Sequence, residues 1–182
     1  MKLSRTSEQV LIADEDIVRL GPPEIALVKA QALASPRRRA RICTHPTPED
    51  RLHEMLIAIC DDSYIHPHRH LGKAESFHIV EGLVDVVMLS PSGEVDEVIE
   101  LGEPGSGRSL YYRVSTPLFH ALLIRTQLLV VHEVTSGPFD RAQTESAAFA
   151  PAEGNRDAND RYMADLDRRA KAWLHARKGG AV

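Results

Sequence analysis

Short apolar runs broken by turn residues dominate the middle of the chain. His53 to Cys60, Ser76 to Val80, Leu83 to Leu89, Val95 to Leu101, Leu110 to Val114, His120 to Arg125 and Leu128 to Thr135 are rich in Val, Ile and Leu. Each has the length and composition of a strand. Ser90-Pro91-Ser92-Gly93 punctuates one hairpin, Gly102 to Gly107 with Pro104 forms a loop, and Thr126-Gln127 is a tight connection. Many short strands at this spacing predict a sandwich or closed barrel rather than a βαβ fold.

The flanks read differently. Val10-Leu11-Ile12 is a candidate edge strand, and Asp14 to Leu20 a short helical turn. Pro22-Pro23 suits a helix start, Glu24 to Ala34 has helical composition, and Pro36 stops it. From Ala158 to Lys178 the helical pattern returns, with Tyr162, Leu166, Ala170 and Trp173-Leu174 near one stripe. That stripe predicts a helix packed on its own domain, with a dimer contact as the alternative. The division expected is an N-terminal extension over 1–50, a barrel over 51–137, and a tail with a helix over 138–182.

Composition narrows the class. With 182 residues the chain suits one domain with a sizeable core. The net charge of -4 argues against a general nucleic-acid binder but leaves room for a local cationic pocket. No apolar run is long enough to span a bilayer. The polar stretch Met1 to Gln9 lacks the apolar core of a signal peptide, so a cytoplasmic location with no membrane partner is the expectation. Cys43 and Cys60 are far apart and lie in no CxxC, which suits buried, inert thiols.

Candidate chemistry concentrates in Ile65-His66-Pro67-His68-Arg69-His70-Leu71-Gly72-Lys73-Ala74-Glu75. Residues two apart in a strand share a face, so His68 and His70 aim at one point. A short turn returns Glu75 toward it. A fourth ligand must come from another strand, and His120, after the turn Ser115-Thr116-Pro117, is the best candidate. Imidazole and carboxylate together suit one divalent transition metal ion such as Zn, Fe, Mn or Ni. Solvated loop histidines are the competing reading. His66 shares parity with the pair and is a ligand, a supporting group or a residue of the pocket mouth. His78 has the opposite parity to Glu75, and His132 fits a hydrogen-bonded core histidine. His53 and His175 carry no special signal.

The site's surroundings offer cations. In an extended segment Arg37, Arg39 and Arg41 share one face, and guanidinium groups suit bidentate binding of phosphate or carboxylate. Pairing with the chain's many acids is the competing role. Tyr64, Lys73, Tyr111, Tyr112 and Glu133 are further polar candidates. Lys73 sits between the histidine pair and Glu75, and Glu133 is placed to orient a ligand histidine.

These residues resemble the cupin superfamily. Its usual first motif is His-x-His, three or four residues, Glu, six residues, Gly; here it is met by His68, His70, Glu75 and Gly82. Asp62 stands where a glycine often precedes the first histidine. In the second motif Ser115 and Pro117 occupy the usual Pro and Gly places, Ile124 that of an Asn, and His120 is retained. A narrower similarity, to WbuC-type cupin fold metalloproteins, spans roughly residues 35–154. It rests on Ser35-Pro36-Arg37-Arg38-Arg39-Ala40-Arg41, His45, the Ser63 to Phe77 run, Glu133, Gly137-Pro138-Phe139 and Phe149 to Gly154. The tryptophan usual near that last segment is absent.

The resemblance implies an all-β fold: a double-stranded β-helix, the cupin jelly-roll barrel, here with N-terminal and C-terminal helical extensions. It also implies a setting in bacterial surface-polysaccharide (O-antigen) biosynthesis, and a possible homodimer. The function expected is metal-dependent action on an anionic sugar, a sugar phosphate or nucleotide sugar, by Lewis-acid isomerase or epimerase chemistry. A non-catalytic small-molecule-binding cupin and an Fe(II)-dependent dioxygenase are the alternatives, with a storage-type structural role behind them.

Overall fold

A computed structural model describes residues 1–179. Twelve strands are formed: β1 (Leu3–Ser7), β2 (Val10–Ala13), β3 (Arg39–Cys43), β4 (Leu52–Cys60), β5 (His68–His70), β6 (Glu75–Glu81), β7 (Leu83–Leu89), β8 (Val95–Gly102), β9 (Tyr111–Val114), β10 (Phe119–Ile124), β11 (Leu128–Ser136) and β12 (Thr144–Ser146). Two helices flank them, α1 (Pro22–Ala34) and α2 (Arg156–Gly179). One sheet runs β1-β2-β3-β4-β11-β6-β9 and the other β12-β5-β10-β7-β8.

The sheets face each other across a core of Met55, Ile57, Ile59, Ile79, Val84, Val86 and their neighbours. These residues alternate along each strand with outward positions, as a strand with both faces covered requires. α1 covers the outside of the larger sheet through Val28 and Ala32, both fully buried. Its start follows from sequence: Pro22 and Pro23 occupy the first turn, and the Glu24 carboxylate accepts the Gly21 N–H at 2.9 Å. α2 covers the outside of the smaller sheet with the expected stripe of Tyr162, Leu166, Ala170, Trp173 and Leu174. Gly82, the motif glycine, turns the chain between β6 and β7 at φ 89°, where a Cβ would stand 2.6 Å from the Leu128 carbonyl oxygen. That position admits only glycine.

Several expectations change. Asp14 to Leu20 forms no helical turn. Val10–Ala13 is not an edge strand, because β1 pairs outside it and β3 runs parallel to it on the other side. The arginine segment is itself a strand: β3 pairs antiparallel with β4, so the larger sheet begins well before residue 51. His132 lies on the outer face of β11, half-buried and 3.8 Å from Glu54, rather than in the core. Val131 and Glu133, its neighbours, take the inner face because the parity of β11 is set by Leu129 and Val131 in the core. No described helix is long and apolar enough to cross a membrane.

Candidate metal centre

Register brings the four candidate ligands together. β5 is three residues long, and His68 pairs with His120 at the start of β10. His70 lies two positions on and shares the face of His68. Glu75 opens β6 opposite Thr135 of β11, so it enters from the facing sheet. The ligand atoms of His68, His70, Glu75 and His120 all lie within 4.8 Å of one another. His70 Nε2 is 3.0 Å from Glu75 Oε2, and His120 Nε2 is 3.5 Å from Glu75 Oε1. Metal bonds of about 2.0–2.2 Å place neighbouring ligand atoms roughly 3–3.5 Å apart, so these separations fit a first-row ion.

The hydrogen bonds behind the ligands fit as well. His68 Nδ1 lies 2.9 Å from the His66 carbonyl oxygen and His120 Nδ1 lies 3.1 Å from that of Leu118. A carbonyl only accepts, so each Nδ1 carries the proton and each Nε2 presents its lone pair to the common point. His70 Nδ1 meets the Thr144 hydroxyl at 3.2 Å. A hydroxyl donates or accepts, so Thr144 serves both tautomers: Nε2–H given to Glu75 without an ion, and Nδ1–H when Nε2 is a ligand. Tyr112 donates its hydroxyl to Glu75 Oε1 at 3.0 Å and fixes the carboxylate's orientation.

Electrostatics agree with the donor set. Burial, helped by the neighbouring His120, lowers the His68 imidazole to about 4, so it is neutral at pH 7. Burial raises Glu75, but the hydrogen bond from His70 and the charges of three imidazoles outweigh it and hold the carboxyl down at about 2. Three imidazoles and one carboxylate are a donor set that suits a divalent transition ion, and this group could bind one.

The cluster lies at one end of a cavity of about 810 Å³ between the sheets. Its walls are largely apolar: Met55, Ile57, Ile59, Phe77 and Leu122 contribute. Arg37, Arg39, Arg41, Lys73, Glu133 and Thr135 supply polar lining. Arg37 and Arg39 both bind Glu153, with Arg37 Nη2 at 2.6 Å and Arg39 Nη2 at 2.8 Å. Arg39 also donates to the Tyr64 carbonyl oxygen at 2.6 Å. The Tyr64 ring turns away, its hydroxyl donating to the Pro151 carbonyl oxygen. Lys73 donates to the Pro138 carbonyl oxygen and lies over the Phe139 ring at the rim. His66 bonds the Ala147 carbonyl oxygen and stays outside the ligand cluster.

Among the described residues no histidine is hydrogen-bonded to Glu133. Its carboxyl faces the cavity, and burial together with the nearby Glu75 pushes it up to about 8. Cys43 and Cys60 are free and buried, and Cys43 lines the cavity. His53, which carries no special signal in the sequence, has a place in the site's surroundings. It stacks on His45 at 4.1 Å in the cavity wall. Its inward parity was readable from Met55 and Ile57, since a strand alternates.

A family described as a domain of unknown function (DUF6016) matches residues 23–101. Among curated proteins none matches the chain. Solved structures do. A salicylate 1,2-dioxygenase from Pseudoaminobacter salicylatoxidans, in complex with gentisate, is 16% identical over 71% of this chain and 37% of its own, with a TM-score of 0.52. Protein SO0799 from Shewanella oneidensis is 16% identical over 54% of this chain and 63% of its own, with a TM-score of 0.46. An oxalate decarboxylase from Bacillus subtilis is 16% identical over 53% and 24%, with a TM-score of 0.43. The chain thus spans less than two thirds of the length of each. The likeness to the dioxygenase shows the fold, a cupin-type β-sandwich.

Proposed function

We propose that this chain is a divalent-metal-dependent cupin that binds a small anionic ligand in the cavity beside His68, His70, Glu75 and His120 and acts on it there. The observation that carries this reading is the convergence of three imidazoles and one carboxylate within 4.8 Å, with two of the imidazoles locked by carbonyls to point Nε2 inward. An ion held by these groups would supply Lewis acidity, polarising a carbonyl or hydroxyl pair of the ligand. The chain's own contribution is to hold the ligand set in one geometry and to exclude water with the apolar walls. The cationic side of β3 supports an anionic ligand. A sugar phosphate or nucleotide sugar, in surface-polysaccharide synthesis of the WbuC type, and isomerisation or epimerisation are the finer form of the proposal. They rest on the resemblance around Ser63 to Phe77.

The apolar walls favour a second reading, an Fe(II)-dependent dioxygenase for an acid with an apolar or aromatic body. One experiment separates the two. The protein is loaded in turn with Zn, Mn, Ni and Fe(II) and assayed against nucleotide sugars, sugar phosphates and aromatic acids, with oxygen uptake recorded. Turnover of a sugar without oxygen uptake supports the first reading, and iron-dependent oxygen uptake with an aromatic acid supports the second. Binding without turnover across the panel makes the protein a non-catalytic module.

A further inference from the structure

Resting on the reading of the cavity as a ligand site, we propose that Arg41 is the residue that grips the ligand's anionic group and that Glu133 hydrogen-bonds a hydroxyl of the same ligand, so that the ligand class is a hydroxylated carboxylate or phosphate. Arg37 and Arg38, just before β3, and Arg39 and Arg41, within it, differ in what already holds them. Arg37 and Arg39 share Glu153, and Arg39 also caps the Tyr64 carbonyl. Arg38 is bound to Asp62 at 2.9 Å and to the Leu33 carbonyl. Arg41 lies on the cavity side, and among the described residues no carboxylate stands within 4.0 Å of its guanidinium. It is the arginine of this group left with its bidentate fork unspent.

Glu133 is its counterpart. It faces the cavity without a hydrogen bond or ion pair among the described residues. A half-buried carboxyl without a partner gives up part of its solvation and gains nothing within the chain's described residues in return. The pairing register fixes how the two relate. Arg41 pairs with Ile57, which pairs with Val131; Cys43 pairs with Met55, which pairs with Glu133. The two residues therefore sit in adjacent rows of one sheet face, with β4 between their strands. Strand spacing puts their backbones about 12 Å apart, a gap that two long side chains reduce to the width of a small ligand. Glu133 is one inward step from Thr135, which pairs with Glu75, so the metal cluster adjoins this span. A ligand whose anion meets Arg41 and whose hydroxyl meets Glu133 thus presents its next oxygen to the ligand cluster. The floor between them, Met55 and Ile57, is apolar and offers the carbon skeleton no competing polar contact.

The test is calorimetric titration of the full chain, as isolated and after chelation, with glucuronate, glucose 1-phosphate and cyclohexanecarboxylate, metal content being measured on the same samples. The first two probes separate a carboxylate from a phosphate source, and the third lacks hydroxyls. Arg41→Ala is expected to weaken the preferred anion at least tenfold with and without metal, while Arg37→Ala changes it less than threefold. Glu133→Leu is expected to erase the preference for glucuronate over cyclohexanecarboxylate while leaving the latter's affinity in place. The proposal is overturned if wild type binds no probe, if Arg41→Ala leaves affinity unchanged, or if Glu133→Leu keeps the hydroxyl preference. Loss of metal reading alone is distinguishable: a wild-type protein without bound metal that still shows the Arg41 effect removes the metal-dependent function and keeps the anion site. Unchanged melting temperatures of the variants separate binding loss from misfolding.

Discussion

Asp85 and Glu133 are both carboxylates drawn into the barrel wall, and their surroundings are opposite. Asp85 sits on the outward face of β7, beneath α2, with 3% of its side chain exposed. Arg108 reaches one oxygen at 3.0 Å and Arg125 the other at 2.7 Å, and Arg125 continues to Asp167 of α2. Glu133 sits on the inward face of β11 and has no such partner among the described residues. The first arrangement closes its charges on themselves and ties a helix to a sheet. The second leaves a carboxyl facing a cavity, one step along the strand from the residue paired with a metal-ligand candidate. Closed networks of this kind serve structure; an open group in a cavity beside convergent donors is where function is sought.

Breaking the closed network should have the largest effect. Asp85→Ala removes the buried carboxylate that two guanidiniums share, leaving Arg108 with Glu100 and Arg125 with Asp167, and a loss of about 3–4 kcal/mol is expected from denaturant titration. A loss under about 1 kcal/mol would show that the network is not what holds this side of the barrel.

The next effect comes from acid. The folded His68 imidazole, lowered to about 4 chiefly by burial, refuses a proton that the unfolded chain accepts near 6.5. The metal-free barrel should therefore lose stability as pH falls from about 6.5 to 4, by up to about 3 kcal/mol. Glu75, held down at about 2, adds its loss only below about 4.5. Thermal melts of metal-free wild type against His68→Gln read the difference, and parallel curves over that window would contradict it.

Glu133 works in the other direction. Its folded carboxyl keeps a proton up to about 8, whereas the unfolded one ionises near 4.5, so its contribution falls as pH rises through that window. Glu133→Gln should stabilise the metal-free protein by about 1–3 kcal/mol at pH 8 and by little at pH 5. A gain that is independent of pH would place the carboxyl in solvent instead. Smallest of all, Arg41→Ala should change the unfolding free energy by no more than about 0.5 kcal/mol, because the exposed guanidinium forms no ion pair among the described residues. A larger loss would return it to the structural set with Arg37 and Arg39.

This contrast is not legible in the sequence, but the metal-ligand candidates and much of the fold are. His68, His70 and Glu75 were readable because a period of two and a short turn are local geometry. β7, at Leu83–Leu89, was readable to the residue because an apolar run interrupted by Asp85 alone lies between turn residues. The α2 stripe followed from its period. What the chain alone did not reveal depended on pairing between distant segments. β3 looked like a basic arm because its alternate Arg residues mask a strand whose register is set by β4. The division of labour among Arg37, Arg39 and Arg41 depends on Glu153, more than a hundred residues away. The inward parity of Glu133 was implicit in Val131, yet nothing local said that among the described residues it would form no ion pair, Arg41 acting on it at a distance. Asp14 to Leu20 forms no helix: Leu20 reaches the core but Ile17 is exposed, so the segment has no continuous apolar face to hold a helix.

Four side chains from three strands converge on one point where a metal ion could bind. Elemental analysis of the purified protein, paired with the His68→Ala/His70→Ala double variant, tests it most directly. Close to one divalent transition ion per chain in the wild type, and none in a folded double variant, is the predicted result. A wild type that takes up no ion after incubation with Zn, Mn, Ni and Fe(II), or a double variant that retains the full complement, would contradict it.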